Sequence, residues 1–137
     1  MRKLKPPCTV VVQHILPALR FEIAKKLIQV HGLRRAEAAW KMGLTPAAVT
    51  QYMKGSRGDT ASARIESSMK VMELVSDISR DIANGLSAID MLLMKLCRVC
   101  HAVRTEGLIC ELHRDAVPGL KGVKTCACSL GIFAVDQ

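Results

Sequence analysis

The chain has 137 residues, of which half are hydrophobic and only 3% aromatic, and its formal net charge is +8. That length allows one ordinary domain or two very small ones, and the apolar content excludes wholesale disorder. The charge is lopsided: residues 1–57 hold eleven Lys/Arg against Glu22 and Glu37, a net +9, whereas residues 58–137 carry a net −1. A basic N-terminal half suits a polyanionic partner. The scarcity of aromatics argues against a stacking platform for single-stranded nucleic acid. Thr9–Leu19 is apolar but short and contains Gln13, His14 and Pro17; Leu86–Leu96 is broken by Asp90 and Lys95. Neither approaches the ~20 apolar residues of a membrane span, and neither reads as a targeting signal. The expectation is a cytoplasmic protein, in which six cysteines serve as ligands or redox groups rather than as a disulfide framework.

Residues 1–16 read as a basic, proline-marked arm with a β-prone run at Thr9–Val12. Pro17 suits the first turn of a helix, and Leu19, Ile23, Leu27 and Val30 follow at helical spacing until Gly32 stops it. A second helix is predicted from about Arg34 to Met42. A third opens with Thr45 as a hydroxyl cap, Pro46 at the first helical position, and continues to Lys54. After the turn-rich stretch Gly55–Asp59, one longer helix is predicted over about Ala61–Ala83. Its apolar stripe is Ile65, Met69, Met72, Val75 or Ser76, Ile78 and Ile82. Asn84-Gly85 breaks it, and a further helix runs from Ser87 into Val99 with Ile89, Leu92, Leu93, Leu96 and Val99 as its buried set. From Cys100 onward periodicity fades.

The predicted fold class is therefore mainly α. Residues 1–58 form a DNA-binding helix-turn-helix bundle with a basic arm, residues 59–96 long central dimerisation helices, and residues 97–137 a small irregular metal-binding segment. The helix-turn-helix reading rests on Arg35–Lys54. Gly43 supplies the turn, Ala39 is the small residue where two helices cross, and Val49 and Tyr52 anchor the second helix on the first. Thr45, Pro46, Ala47, Thr50, Gln51 and Lys54 then face outward. The start of such a helix enters the major groove of double-stranded DNA. Gln51 is the best base reader, because a carboxamide can bridge adenine N6 and N7, and Ala47 and Thr50 suit a thymine methyl. Arg34, Arg35, Lys54 and Arg57 are placed for phosphates.

The segments Leu16–Arg20, Glu22–Leu27 and Gly43–Gly55 resemble archaeal regulators with an XRE-type (phage-repressor-like) helix-turn-helix and a C-terminal cysteine cluster. The resemblance implies cytoplasmic transcription control; the homodimer is expected from the apolar stripe of the central helix, Ile65, Met69, Met72, Ile78 and Ile82. One departure is Arg34-Arg35-Ala36, where many such domains place a glutamine that binds phosphate.

Five cysteines fall near the C-terminus: Cys97 and Cys100 as C-x2-C, then Cys110, then Cys126 and Cys128. Grouped thiolates of this kind hold metal. Cys97, Cys100, Cys110 and His113 make an acceptable zinc set. An all-thiolate set using Cys126 or Cys128 suits an iron–sulfur cluster, [4Fe-4S] or [2Fe-2S]. The surplus of thiols, together with the resemblance, favours iron–sulfur, with zinc as the alternative. Cys8, distant in sequence, reads as a plain thiol, and His101 as a surface histidine. A Ser/His/Asp grouping, a phosphate-binding glycine loop and a paired-carboxylate site are all missing, so an enzyme is not expected. A regulator with structural zinc and no sensing, or an iron–sulfur electron carrier, are the other readings.

Overall fold

The computed structural model describes residues 4–55 and 60–123. They are mainly helical, with no strand among them. The first helical run starts well before Pro17. Helix α1 (Pro7–Val10) has Pro7 at its first position, passes through a π-type turn (Val11–Ile15), and continues as α2 (Leu16–Gln29). The predicted β-prone run Thr9–Val12 is thus helical. Val10 and Ile15 are fully buried in the core, and burying such side chains is worth more than the small helical penalty of β-branching. Residues five apart on a regular α-helix point roughly 140° apart. The wider π turn closes much of that gap and turns both inward.

Helix α2 buries Ala18, Leu19, Phe21, Glu22, Ile23, Ala24 and Leu27. It touches every element that follows as far as α6. Gly32, with φ +69°, lets the chain reverse after it. Helices α3 (Arg35–Met42) and α4 (Pro46–Gly55) then form a tight pair. The single helix expected over 61–83 is two: α5 (Thr60–Ser67) and α6 (Met69–Asn84). Ser68 breaks it. Its backbone is extended, its Oγ accepts the Val71 N–H at 3.2 Å, and the same hydroxyl donates to Glu106 at 2.5 Å. A serine that caps the next turn and binds a distant carboxylate offers the chain more than continued helix does.

The break changes what the expected stripe does. Ile65, Val75 and Ile78 lie in the core of the same chain, Met72 and Ile82 are half-buried against it, and Met69 is 80% exposed. Helix α7 (Ile89–Thr105) packs along α6. It starts two residues later than expected because Ser87 donates its hydroxyl to Asp81 Oδ2 at 2.7 Å. Lys95 joins the two helices, reaching Asp77 Oδ2 at 2.8 Å and also Asp81 Oδ2. The Asp81 carboxyl is held below the usual range by Lys95 and Ser87, and the two carboxylates push the Lys95 ammonium up.

The segment from Cys97 is not irregular where it is described. Helix α7 continues to Thr105, and α8 (Cys110–Ala116) follows the turn at Gly107. Val99, Ala102, Val103 and Ile109 are buried in the same cluster as Val10, Leu19 and Val75. One core therefore runs across the boundaries expected at 58/59 and 96/97. On the other side of α7, Ile89 and Leu93, expected to be buried, are 71% and 54% exposed.

Between α2 and α5, Glu22 is 1% exposed and its Oε1 has no hydrogen-bond partner. Burial pushes this carboxyl from 4.5 up to about 7; a hydrogen bond with Glu66 adds to the effect, and Lys25 and Lys26 oppose it. The folded chain therefore holds a proton that the unfolded chain releases near 4.5. The stability linked to that proton is complete below 4.5 and is lost as pH rises through about 7. Glu22→Gln, which cannot ionise, is expected to be more stable than the wild type at alkaline pH by about 1–3 kcal/mol and to flatten the decline above pH 5. Urea denaturation across that range measures it.

Candidate nucleic-acid interface

The α3–α4 pair is built on two small contacts. Ala39 of α3 and Val49 of α4 are fully buried with Ala24 of α2, and Met42, Leu44 and Met53 close around them. Alanine at two of the three positions lets the helices approach closely. The turn follows from Gly43. Its φ of +69° ends α3, and the Leu44 N–H donates to the Ala39 carbonyl at 2.8 Å, closing the helix end. Thr45 then opens α4, its Oγ1 accepting the Ala48 N–H at 3.1 Å. Pro46 stands at the first helical position, where it loses no hydrogen bond.

This local chemistry sets which residues face out. Val49 and Met53 are four apart and point inward. Ala47, Gln51 and Lys54, spaced by four and three, form the opposite exposed stripe, with Thr45 and Pro46 exposed at its start. Thr50 is half-buried at the edge of the stripe and Tyr52 half-buried towards the core. Arg34 stands at the N-cap of α3 and Arg35 is its first residue; both are exposed. The expected outward residues therefore lie on two helices that pack together, except Arg57, which lies outside the described residues. Trp40, 81% exposed on α3, was not singled out in the sequence. Its position between buried Ala39 and exposed Lys41 marks it as off the packed face.

The expected ligands are only partly assembled. Cys97 and Cys100 are one turn apart on α7, and Cys110 opens α8. The four cysteines at positions 8, 97, 100 and 110 are free thiols. Among the described residues, no three His, Cys, Asp or Glu side chains are placed to hold one metal ion. Cys126 and Cys128 lie outside the described residues. His113, the fourth member of the zinc alternative, is 5% exposed; its Nε2 meets the Lys5 carbonyl at 2.8 Å, tying α8 to the start of α1, and its Nδ1 has no hydrogen-bond partner. Burial pushes the Cys100 thiol up, Arg104 opposes it, and Cys97 and Cys8 reinforce it. Cys8 is therefore close enough to act electrostatically on Cys100, a proximity that sequence separation hides.

Comparison with protein-family models, with curated proteins and with solved structures gives no match. No described helix is long and apolar enough to cross a membrane.

The turn and the cap lie two residues apart in the same connection. A Cβ at Gly43 would meet nothing within 4 Å. Gly43→Ala is therefore expected to cost only its backbone strain, about 1–2 kcal/mol. Thr45→Ala removes one cap bond and is expected to cost about 1 kcal/mol. In chemical denaturation of the double variant the combined loss should fall short of the sum, because the two act on one turn.

Proposed function

We propose that this chain is a sequence-specific regulator of transcription that binds double-stranded DNA as a homodimer, in the manner of XRE-type regulators. The observation that carries the reading is the exposed stripe of Thr45, Pro46, Ala47, Gln51 and Lys54 on a helix seated by Ala39 and Val49. It stands in the half of the chain that holds the positive charge, and Arg34 and Arg35 are exposed at the start of the neighbouring helix. In this reading the start of α4 enters the major groove, Gln51 reads an adenine edge, and the cations grip the flanking phosphates.

The proposal includes an iron–sulfur cluster held by Cys97, Cys100, Cys110 and one or both of Cys126 and Cys128, with zinc as the alternative metal. The support is chemical: more thiols are available than a zinc set of three thiolates and His113 would use. When bound, such a cluster supplies a redox- or iron-dependent state that DNA affinity can follow. Whether the loaded and unloaded forms differ in affinity is measured by titrating a selected operator with each.

Selection of binding sites from random duplex DNA tests the central reading. An enriched motif is the expected result, and uniform recovery would sink it. Gln51→Ala is expected to lose about 1–3 kcal/mol of discrimination at one base pair. Lys54→Ala should weaken specific and non-specific DNA alike and reduce the salt slope by about one.

Anaerobic purification with iron and sulfide analysis tests the cluster; a colourless, zinc-replete protein would reject it. Cys97→Ser is expected to remove iron and visible absorption while leaving helical circular dichroism nearly intact. Helices α7 and α8 are held by Val99, Val103 and Ile109 as well as by any metal.

A further inference from the structure

We propose that the N-terminal half of α7, together with the groove beside it, is the surface through which a second copy of this chain docks. The inference rests on the reading of the protein as a two-fold regulator and relocates its interface from the α6 stripe, whose Ile65 and Ile78 are used inside the chain.

Two features lie side by side. The first is a ridge: within nine residues, Leu86, Ile89, Met91, Leu93 and Met94 are 70%, 71%, 51%, 54% and 60% exposed. Single exposed apolar residues are ordinary, but this many large ones spread over the exposed side of one helix end mark an interaction site. The second is a groove of about 330 Å3 whose walls include Leu16 and Ile23 of α2, Met42 and Leu44 around the turn, and Ile89 and Leu93 of α7, which therefore belong to both features. Its only charged lining residues are Arg20 and Lys41.

Charge identifies the occupant. The sole acid between Asp81 and Glu106 is Asp90, exposed in the middle of the ridge. A second copy of this end of α7 laid over the groove sets its apolar side chains against apolar walls, Ile89 and Leu93 included, and brings its Asp90 towards Arg20 and Lys41. A two-fold axis then repeats the contact, because ridge and groove belong to the same chain. DNA would find the cations but would leave the apolar walls exposed. The ridge is held firmly for this task, since Lys95 fixes α7 to Asp77 and Asp81 behind it. The methionines adapt to the facing surface. Because Met42 and Leu44 flank Gly43, the contact also bears on the turn that seats α4, so docking would set the relative pose of the two α4 helices.

Sedimentation equilibrium of the full chain at micromolar concentration, without DNA, tests the proposal. The wild type is expected to be a dimer. Leu93→Glu or Met94→Glu should raise the dimer Kd by on the order of a hundredfold. Asp90→Lys should raise it by on the order of tenfold, and combining it with Lys41→Glu should restore much of the loss. All of these side chains are exposed, and circular dichroism should show unchanged folding. A monomeric wild type, or a dimer indifferent to both Leu93→Glu and Met94→Glu, would overturn the proposal. Operator binding by the same samples separates the two readings: a monomer that still selects DNA overturns the docking surface alone, and a dimer disrupted by Leu93→Glu that selects no DNA overturns the regulator alone.

Discussion

The structure depends on the burial of α2. A helix that covers Leu19, Ile23 and Leu27 on one side and Phe21, Glu22 and Ala24 on others has almost no free face, so each later helix is placed by where it can lie on this rod. Helices α3 and α4 take the side of Ala24, where a methyl group is all that fits between α2, Ala39 and Val49. Helices α5 and α6 take the sides of Glu22 and of Leu19 and Ile23. The cost of this arrangement is visible at Glu22, whose carboxyl sits in the α2–α5 contact without a cation in hydrogen-bonding reach and keeps its proton instead.

What was legible in the sequence was local chemistry. Gly43 needs positive φ, Thr45 caps, Pro46 tolerates only the first turn, and Ala39 and Val49 fall at the crossing; each is decided within a few residues, and each stands where expected. What was not legible was decided by distant partners. Thr9–Val12 has the composition of a strand, yet Val10 finds a core only when helical. Ser68 lies mid-way in a plausible long helix, and its break is set by Val71 on one side and Glu106, thirty-eight residues on, on the other. The stretch after Cys100 seemed aperiodic because Val99, Ala102, Val103 and Ile109 are split between two helices and a turn.

The same distinction applies to α7. Its sequence announces one broad apolar surface, but periodicity says nothing about which part of it the chain itself covers. Leu92 and Leu96 are half-buried along α6, whereas Ile89 and Leu93, equally apolar, are left mostly open. The difference follows from the rotation of α7 about its own axis, which Val99, Ala102 and Val103 set by burial and Lys95 reinforces by reaching Asp77 and Asp81.

Geometry also constrains how any event among the cysteines would reach α4. The His113–Lys5 contact ties α8 to the start of α1, Cys8 on α1 lies near enough to Cys100 to act on it, and α1 runs through the π turn into α2. The rod that begins beside the thiols therefore ends against Ala39 and Val49. In the proposed regulator, a metal-dependent shift at α8 need not cross loops or a domain boundary; it has one helical run to displace. The π turn is where that run departs from regular hydrogen bonding, with Val10 and Ile15 locked in the core on either side of it. A displacement of α1 that keeps both side chains buried must therefore be absorbed by tightening or widening this turn. A two-state change needs only a differential affinity of ~1–3 kcal/mol between states, about the cost of fully exposing a single side chain of this size.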